Sequence, residues 1–287
     1  MQSITPNVWT DTTLRGCNPS MVVTRAGVVV IDTPQLPTRA VSMRKAAEEH
    51  GPVRYIINPE HHVDHIFGNY YFRGSGPIVH HQGVADHFME VTPSLDSYEY
   101  AHEAIPTDDP EGEAIFPDRD TYFADPGRAD IVFTGDLTIT LGSHTFELIH
   151  TPGHTPGQLA VHVPEERVVF TGDTIFSECQ TWLMGSNVTQ WLAALDRISQ
   201  LDVDWVVPGH GPVVTPDYLA RQRANLVDWV QAVADAVASG WSRDETVAKV
   251  NFAERYPVDV GQGYMMNHIQ TLNAGSIWDK LTAGRPA

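Results

Sequence analysis

The chain has 287 residues, of which 42% are hydrophobic and 19% charged, a composition typical of a folded protein with a substantial core. Its formal net charge is −18, which would repel nucleic-acid phosphates and anionic lipid head groups. We therefore expect no nucleic acid and no membrane as a partner; the expectation of a small-molecule substrate rests on the motifs described below. The two cysteines, Cys17 and Cys179, are too few for a disulfide scaffold.

Residues 1–13 lack the basic segment and following apolar stretch that mark a secretory signal. No apolar run reaches the roughly 18 residues that a membrane-spanning helix requires. These two features, together with cysteines that fit reduced thiols, indicate a cytoplasmic protein.

The first half of the chain alternates between predicted strands and predicted helices. Runs of β-branched residues indicate the strands, and longer segments rich in Ala, Arg, Lys and Glu indicate the helices. The predicted elements are strands at 21–24 and 27–32, a helix at 38–50, a strand at 53–58, a helix beginning in 66–72, a strand at 78–80 and a helix near 84–91.

Residues 93–130 interrupt this alternation. They are rich in Pro, Asp, Glu and aromatic residues, show no clear period and are too long for a plain connector, so they predict an insertion or lid. Its aromatic side chains would cover an apolar acyl chain or form a dimer contact, and the sequence leaves both open. They are Tyr98, Tyr100, Phe116, Tyr122 and Phe123.

The second half repeats the strand and helix scheme. Its predicted elements are strands at 131–133, 137–141, 146–150, 159–163 and 168–171, a helix at 191–201, a strand at 205–207, and helices at 216–239, 243–254 and 264–283. Helices on both outer faces of two stacked sheets would bury these apolar runs.

Four fragments place a His or an acidic residue where a predicted strand runs into a loop. They are the run 60–65 (EHHVDH), the loop around His154, the turn that holds Asp173, and the Pro-Gly-His-Gly-Pro turn at His210. Imidazole and carboxylate ligands at such turns suit zinc, manganese or iron. Together the fragments supply enough ligands for two ions, which can make hydroxide at neutral pH.

In this order and spacing, the four fragments resemble the metallo-β-lactamase superfamily of hydrolases over about residues 5–215. The early strand at 29–33 is also similar to that family's first motif. The resemblance implies an α/β fold, a four-layer αββα sandwich with the site at one edge of the two sheets. We expect a metal-binding catalytic domain at 1–215 and a C-terminal helical extension at 216–287 packed on it.

The resemblance also implies a role for each matched residue. The matched ligands are Glu60, His62 and His154 for the first ion, Asp64, His65 and His210 for the second, and Asp173 as the bridge between them. Asp32 matches a residue that orients a ligand histidine. The implied cofactor is a pair of divalent ions, zinc or manganese, with iron as a further candidate.

The chain departs from the family at Glu60, where the family pattern has a histidine. In one interpretation Glu60 is itself a ligand, which gives a harder, more negative site that favours manganese or iron over zinc. In the other, Glu60 points away and His61 or water completes the site. The register of the motif favours Glu60 as the ligand.

These ligands predict a hydrolase in which a hydroxide shared by the two ions attacks the acyl carbon of a small ester, lactone, thioester or amide. Asp64 and Asp173 are the candidate catalytic residues, and Asp64 could also relay a proton. Candidate substrate contacts are Trp182, Asn187 and His268. Trp182 and Asn187 could equally fill space and cap the following helix, and His268 could be an ordinary surface residue.

Two other activities of the same fold compete with this prediction. An iron-dependent oxidoreductase similar to persulfide dioxygenases is one, although the complete second ligand set argues against a mononuclear iron site. A β-lactamase proper is the other, and the long helical C-terminus and the lack of an export signal argue against it. The acidic surface and the aromatic insertion permit a homodimer without requiring one.

Overall fold

Runs of valine and isoleucine form two β-sheets in the computed structural model, which describes residues 1–13, 15–92, 95–255 and 265–283. Within these residues the first sheet contains β1 Gln2–Thr5, β2 Val8–Thr10, β3 Ser20–Thr24, β4 Gly27–Ile31, β5 Val53–Ile57, β6 Ile78–His81 and β9 Ile131–Phe133. The second sheet contains β10 Leu137–Leu141, β11 His144–His150, β12 Leu159–Val163, β13 Val168–Phe170 and β14 Trp205–Val207. A separate pair is formed by β7 Val91–Thr92 and β8 Leu95–Asp96. Each sheet follows chain order, and the β7–β8 pair with its neighbouring helices is inserted between β6 and β9.

Helices lie between and after these strands. In the described part of the chain they are α1 Pro37–His50, α2 Val63–Ile66, α3 Asn69–Phe72, α4 Gln82–Asp86, α5 Ser97–Glu103, α6 Ile105–Asp108, α7 Arg119–Ala124, α8 Val188–Ile198, α9 Tyr218–Ala238, α10 Arg243–Lys249 and α11 Met266–Thr282. Short 3₁₀ turns occur at Pro110–Ile115, Pro164–Glu166, Gly172–Thr174 and Ala253–Arg255. None of the described helices is both long and apolar enough to cross a membrane.

The side chains of β4 show how the layers form. Val28 and Val30 pack against the helices on one side, whereas Val29 and Ile31 pack between the two sheets. Successive side chains of a strand point to opposite faces, so a continuous apolar run is buried on both sides. The second sheet is covered in turn by α8, α9 and α11. The predicted four-layer αββα sandwich with C-terminal helices is confirmed.

Parallel pairing places the ends of several strands at one edge of the molecule. β4, β5, β6 and β9 run parallel to one another, and β13 runs parallel to β14. The carboxyl ends of parallel strands meet at the same edge, where loops collect ligands in open α/β sheets. The motif residues that follow β5, β13 and β14 therefore come together.

The segment 93–130, which the sequence predicts as an insertion or lid without a clear period, contains short helices. Its described residues form α5, α6, α7 and a 3₁₀ turn. Asp96 caps α5 by accepting from the backbone N–H groups of Tyr98 and Glu99, and Asp118 caps α7 in the same way. Tyr98 and Tyr122 are buried in the core outside the first sheet, so these two rings form neither a lid nor a dimer contact.

Several boundaries also differ from the predicted ones. The helix predicted near 84–91 is α4 at Gln82–Asp86, and the helix predicted from 66 is split into α2 and α3. β1 and β2, which are not among the predicted elements, form an N-terminal antiparallel pair at the edge of the first sheet. Short edge strands carry too few alternating residues to stand out in a sequence.

Candidate metal centre

The four motif fragments meet at the edge between the two sheets. The run 60–65 leaves β5 and enters α2, and His154 lies in the loop between β11 and β12. Asp173 follows β13 in a 3₁₀ turn, and His210 follows β14. Ligand atoms therefore arrive from both sheets.

Glu60 faces the site and is fully buried. One carboxylate oxygen lies 3.0 Å from His62 Nδ1 and 3.2 Å from His65 Nε2. The backbone N–H of His62 donates to the other oxygen over 3.2 Å. A buried carboxylate is costly unless a cation or hydrogen-bond donors surround it, so this position requires positive partners.

The first group of ligand atoms contains the predicted set. Atoms of Glu60, His62, His154 and Asp173 all lie within 4.8 Å of one another. His154 Nε2 is 3.1 Å from His62 Nδ1 and 3.4 Å from an oxygen of Asp173. Two imidazoles and two carboxylates form a donor set that suits a divalent ion.

The second group contains Asp64, His65 and His210, again within 4.8 Å. His210 Nε2 lies 3.3 Å from an oxygen of Asp64 and 3.3 Å from an oxygen of Asp173. The other Asp173 oxygen lies 3.1 Å from His65 Nε2. Asp173 therefore contacts both groups, which is the geometry of a bridging carboxylate.

Asp32 contacts His65 from behind. Its carboxylate lies 3.0 Å from His65 Nδ1, which leaves Nε2 directed at the other ligands. Burial raises the pKa of Asp32 to about 6, against the opposing charge of His65. Asp32 has a backbone φ of 61°, a left-handed conformation that a residue other than glycine holds at some cost.

His154 is held as a neutral imidazole. Its Nδ1 donates to the backbone carbonyl oxygen of Trp182 over 3.1 Å, so Nε2 carries the free lone pair. Burial lowers the pKa of His154 to about 4, and the neighbouring His62 adds to that effect. A neutral imidazole with one fixed tautomer is the form that binds a metal ion.

Opposite charges in the site face one another in pairs. Burial acts to lower the pKa of His62, yet the charge and hydrogen bond of Glu60 raise it to about 9. Burial likewise acts to raise the pKa of Asp173, but His210 and His65 hold it well below its usual range.

Two buried atoms support the assignment of a metal centre. His65 Nε2 and Asp173 Oδ1 are both buried and lie 3.1 Å apart, yet neither makes a contact with hydrogen-bond geometry among the described residues. Native proteins rarely leave such atoms unsatisfied, and a bound ion would satisfy both. The donor set and these atoms fit two divalent ions, the first at Glu60, His62, His154 and Asp173, and the second at Asp64, His65, His210 and Asp173.

Glu60 and His61 differ in their positions relative to the ligand groups. The ring of His61 packs against His62 and His87, with ring centroids 4.9 and 5.0 Å apart. His61 belongs to none of the ligand groups found among the described residues, whereas Glu60 does. The Glu60 carboxylate therefore lies among the candidate ligand atoms, and its binding to an ion remains a prediction.

The candidate substrate contacts are dispersed. The side-chain oxygen of Asn187 accepts from the Gln190 backbone N–H and caps α8, which confirms its capping role. Trp182 is partly buried against the core beside α8 and α9, and His268 is exposed on α11. Contacts of these residues with substrate remain predictions.

Some residues that shape the site carried no signal in the sequence. Phe176 stacks on His210 at 10° between ring planes, and Asn18 donates from its amide to the carbonyls of Pro208 and Gly211. Cys17 has its sulfur within 4.8 Å of Asp32 and His65 ligand atoms, and burial raises its pKa well above the usual range. It is therefore a neutral thiol.

Gly209 explains why the His210 turn needs glycine. A Cβ on Gly209 would lie 1.9 Å from an oxygen of Asp173, far inside van der Waals contact. The glycine in this turn therefore allows the second-sheet backbone to approach the carboxylate that both ligand groups share.

With this geometry in place, comparisons with known proteins identify the family. The family model of the metallo-beta-lactamase superfamily matches residues 12–210, which contain all the ligand residues described above. The chain belongs to the metallo-β-lactamase superfamily.

Individual relatives share about a quarter to a third of their aligned residues with this chain. The chain is 27% identical to an acyl-coenzyme A thioesterase of Gallus gallus over 77% of this chain and 78% of that protein. It is 35% identical to a hydroxyacylglutathione hydrolase of Bartonella quintana over 26% of this chain and 30% of that protein. A solved metallo-beta-lactamase from Pontibacter korlensis matches with a TM-score of 0.60 and 20% identity over 78% of this chain and 97% of that one, which shows a shared fold.

Proposed function

We propose that this protein is a binuclear metal-dependent hydrolase that cleaves a small acyl thioester. The observation that carries the proposal is the convergence of two ligand groups on the shared carboxylate of Asp173. Ions held on either side of one carboxylate can act on the same substrate group.

When bound, the two divalent ions would supply an activated water and a Lewis acid for the substrate carbonyl. The protein holds the ligands for this chemistry in fixed orientations. Asp32 orients His65, and the Trp182 carbonyl orients His154. Because His65 and His154 are each fixed through Nδ1, their Nε2 atoms are directed at the ion position before any ion binds.

Asp64 is the residue we propose to move the proton. Its side chain is 14% exposed, whereas the side chains of Glu60 and Asp173 are 0% and 5% exposed. A carboxylate that touches both His210 and solvent can accept a proton from the attacking water and pass it outward. Glu60, fully enclosed, is suited to holding charge rather than to exchanging protons.

A thioester fits this site better than an amide does. A thiol has a pKa of about 8.5, so a thiolate can leave without a separate acid to protonate it. The imidazoles at the centre are committed as ligands, which leaves few groups to act as that acid. The relatives named above, a thioesterase and a hydroxyacylglutathione hydrolase, support the same substrate class.

The test is a hydrolysis assay on full-length protein loaded separately with zinc and with manganese. The substrates are an acyl-coenzyme A, an acylglutathione, a lactone and a β-lactam. We expect two ions per chain and the highest kcat/KM on a thioester. An Asp173→Asn variant should lose most of the activity together with bound metal, whereas His61→Ala should retain both. Two bound ions with hydrolysis of the β-lactam alone would overturn the thioester assignment, and one iron per chain with no hydrolysis would overturn the whole proposal.

A further inference from the structure

The loop 175–187, which connects the Asp173 turn to α8, touches metal ligands from outside the four motifs. Its Trp182 carbonyl accepts from His154 Nδ1 over 3.1 Å, and its Phe176 ring stacks on His210 with ring centroids 5.2 Å apart. The loop contains no helix and no strand of more than one bridged residue. Its conformation must therefore be set by whatever it packs against.

Buried amide side chains on the C-terminal helices hold this loop. They are Gln222 and Asn225 on α9 and Gln270 and Asn273 on α11. Amide groups are costly to bury unless they are hydrogen-bonded, and an apolar side chain would serve mere packing at lower cost. Gln222 and Asn273 bond backbone groups of the loop, whereas Asn225 and Gln270 bond only its side chains. Holding the loop backbone in one conformation therefore falls to Gln222 and Asn273.

Asn273 makes the most direct of these contacts. It is fully buried, its Oδ1 accepts from the Leu183 backbone N–H over 2.8 Å, and its Nδ2 donates to the Thr181 carbonyl over 2.8 Å. These two backbone groups lie on either side of Trp182. One side chain on α11 thus fixes both peptide groups that adjoin Trp182.

The Leu183 N–H and the Trp182 carbonyl belong to the same peptide group. A continuous chain of hydrogen bonds therefore runs from Asn273 Oδ1 through this peptide to His154 Nδ1. Hydrogen bonds in such a chain polarise one another in a low-dielectric interior. Because Asn273 Oδ1 accepts from the Leu183 N–H, the Trp182 carbonyl of the same peptide becomes a stronger acceptor for the His154 imidazole.

We propose that Asn273 is a positioning residue for the metal ligand His154, and that the C-terminal helices thereby form part of the metal centre. Asn273 holds the Trp182 peptide so that its carbonyl fixes His154 as the Nδ1–H tautomer, with Nε2 free to bind the ion. This inference rests on the proposed metal centre, and it adds a residue outside the matched family region, which ends at 210.

The test compares Asn273→Ala with Asn225→Ala in the full-length protein. Asn225 is the matched control because it is also a buried asparagine on a C-terminal helix and also contacts Thr181, but through the hydroxyl. Zinc affinity is measured for each ion by competition with a chromophoric chelator. The absorption spectrum of the cobalt-loaded protein reports the ligand geometry of each site.

We expect Asn273→Ala to weaken the ion held by His154 by about 10–100-fold, as loss of a ligand-orienting contact usually does. Its cobalt spectrum should change, whereas the control variant should keep both affinities within about twofold of the wild type. Equal affinities in all three proteins would overturn the inference, and so would an equal loss in both variants. A wild type that binds no ion at His154 would instead overturn the proposed metal centre itself.

A second measurement needs no variant and covers the case in which Asn273→Ala does not fold. In the ¹⁵N-labelled wild type, nuclear magnetic resonance should show His154 as the Nδ1–H tautomer when zinc is bound. Zinc loading should also shift the Leu183 amide resonance, because that N–H lies in the same chain of hydrogen bonds. An Nε2–H tautomer, or a Leu183 resonance unmoved by zinc, would overturn the inference.

Discussion

Glu60 is the residue that distinguishes this site from the family pattern. Its carboxylate is fully enclosed and lies within 3.2 Å of two imidazole nitrogens. An enclosed negative ligand lowers the charge of the first ion's environment and makes the donor set harder. Oxygen donors favour manganese and iron relative to zinc more than imidazoles do.

We therefore expect Glu60→His to shift the metal preference of the first site toward zinc. The ratio of zinc to manganese affinity should rise by about tenfold or more, because a neutral nitrogen donor replaces a charged oxygen donor. Elemental mass spectrometry after equilibration with both ions measures the ratio. His61→Ala is the control and should leave the ratio unchanged, since its ring lies outside the ligand groups. An unchanged ratio in Glu60→His would show that the carboxylate does not bind the ion.

The sequence could predict which residues come together at the candidate metal centre because each lies in a short motif at the end of a strand. His62, Asp64 and His65 are separated by only one or two positions, and Asp173 and His210 are fixed by glycine turns. The contact between His154 and the Trp182 carbonyl could not be predicted, because any residue type supplies a carbonyl. Asn273 was equally invisible, since its role depends on how distant helices pack.

At the scale of elements, the segment 93–130 differs most from its prediction as an insertion or lid without a clear period. Its helices are one or two turns long, which is too short to establish a clear 3.6-residue period. Its aromatic residues suggested a lid, but Tyr122 stacks on Phe67 with ring centroids 4.6 Å apart inside the core. Burial of these rings, rather than local propensity, stabilises the short helices.

The Tyr122 hydroxyl gives a direct test of this packing. It is buried and has no hydrogen-bond partner within the described residues, which costs about 1–3 kcal/mol for a hydroxyl. We expect Tyr122→Phe to be neutral or to stabilise the protein by about 1 kcal/mol. Tyr122→Ala should instead destabilise it by about 3–5 kcal/mol, because it leaves a cavity in the core. Denaturant unfolding measures both changes, and a destabilised Tyr122→Phe would show that the hydroxyl has a partner.

His80 in β6 connects the first sheet to the backbone of the metal motif. Its Nε2 donates to the Asn58 side-chain oxygen over 2.8 Å, and the Asn58 amide in turn donates to the His65 carbonyl over 2.7 Å. Burial lowers the pKa of His80 from 6.5 to about 3. The folded protein therefore keeps this imidazole neutral at a pH where the unfolded chain protonates it.

The free energy of unfolding should fall as the pH drops below 6.5 toward 3, because His80 stays neutral in the folded protein. Over that range the unfolded state binds a proton that the folded state does not, so unfolding becomes more favourable. At pH 5 the loss should be about 2 kcal/mol, from about 1.4 kcal/mol per pH unit. His80→Gln keeps a donor toward Asn58 without the titrating ring. The variant should therefore lose about 2 kcal/mol less stability than the wild type between pH 7 and pH 5. Identical slopes, measured by denaturant unfolding from pH 7 to 5, would show that His80 is protonated in the folded state.

The whole molecule is built around a centre that neither sheet contains alone. Residues 60–65 come from the first sheet, whereas His154, Asp173 and His210 come from the second. The C-terminal helices add a third contribution through Asn273 and the Trp182 carbonyl. Bound ions would therefore link both sheets and, indirectly, the helical extension.

Removal of the ions should consequently destabilise the entire fold rather than the local loops alone. An ion present at about a thousandfold above its Kd stabilises the folded state by about 4 kcal/mol, and two ions should contribute about twice that. With about 2–4 °C per kcal/mol, chelation should lower Tm by about 15–30 °C. Calorimetry of loaded and chelated protein measures this change, and hydrogen exchange should show reduced protection in β5 and β13 alike. In Asp173→Asn, which lacks the bridging charge, chelation should change Tm far less. If loaded and chelated wild type unfold at the same temperature, the ions do not join the two sheets.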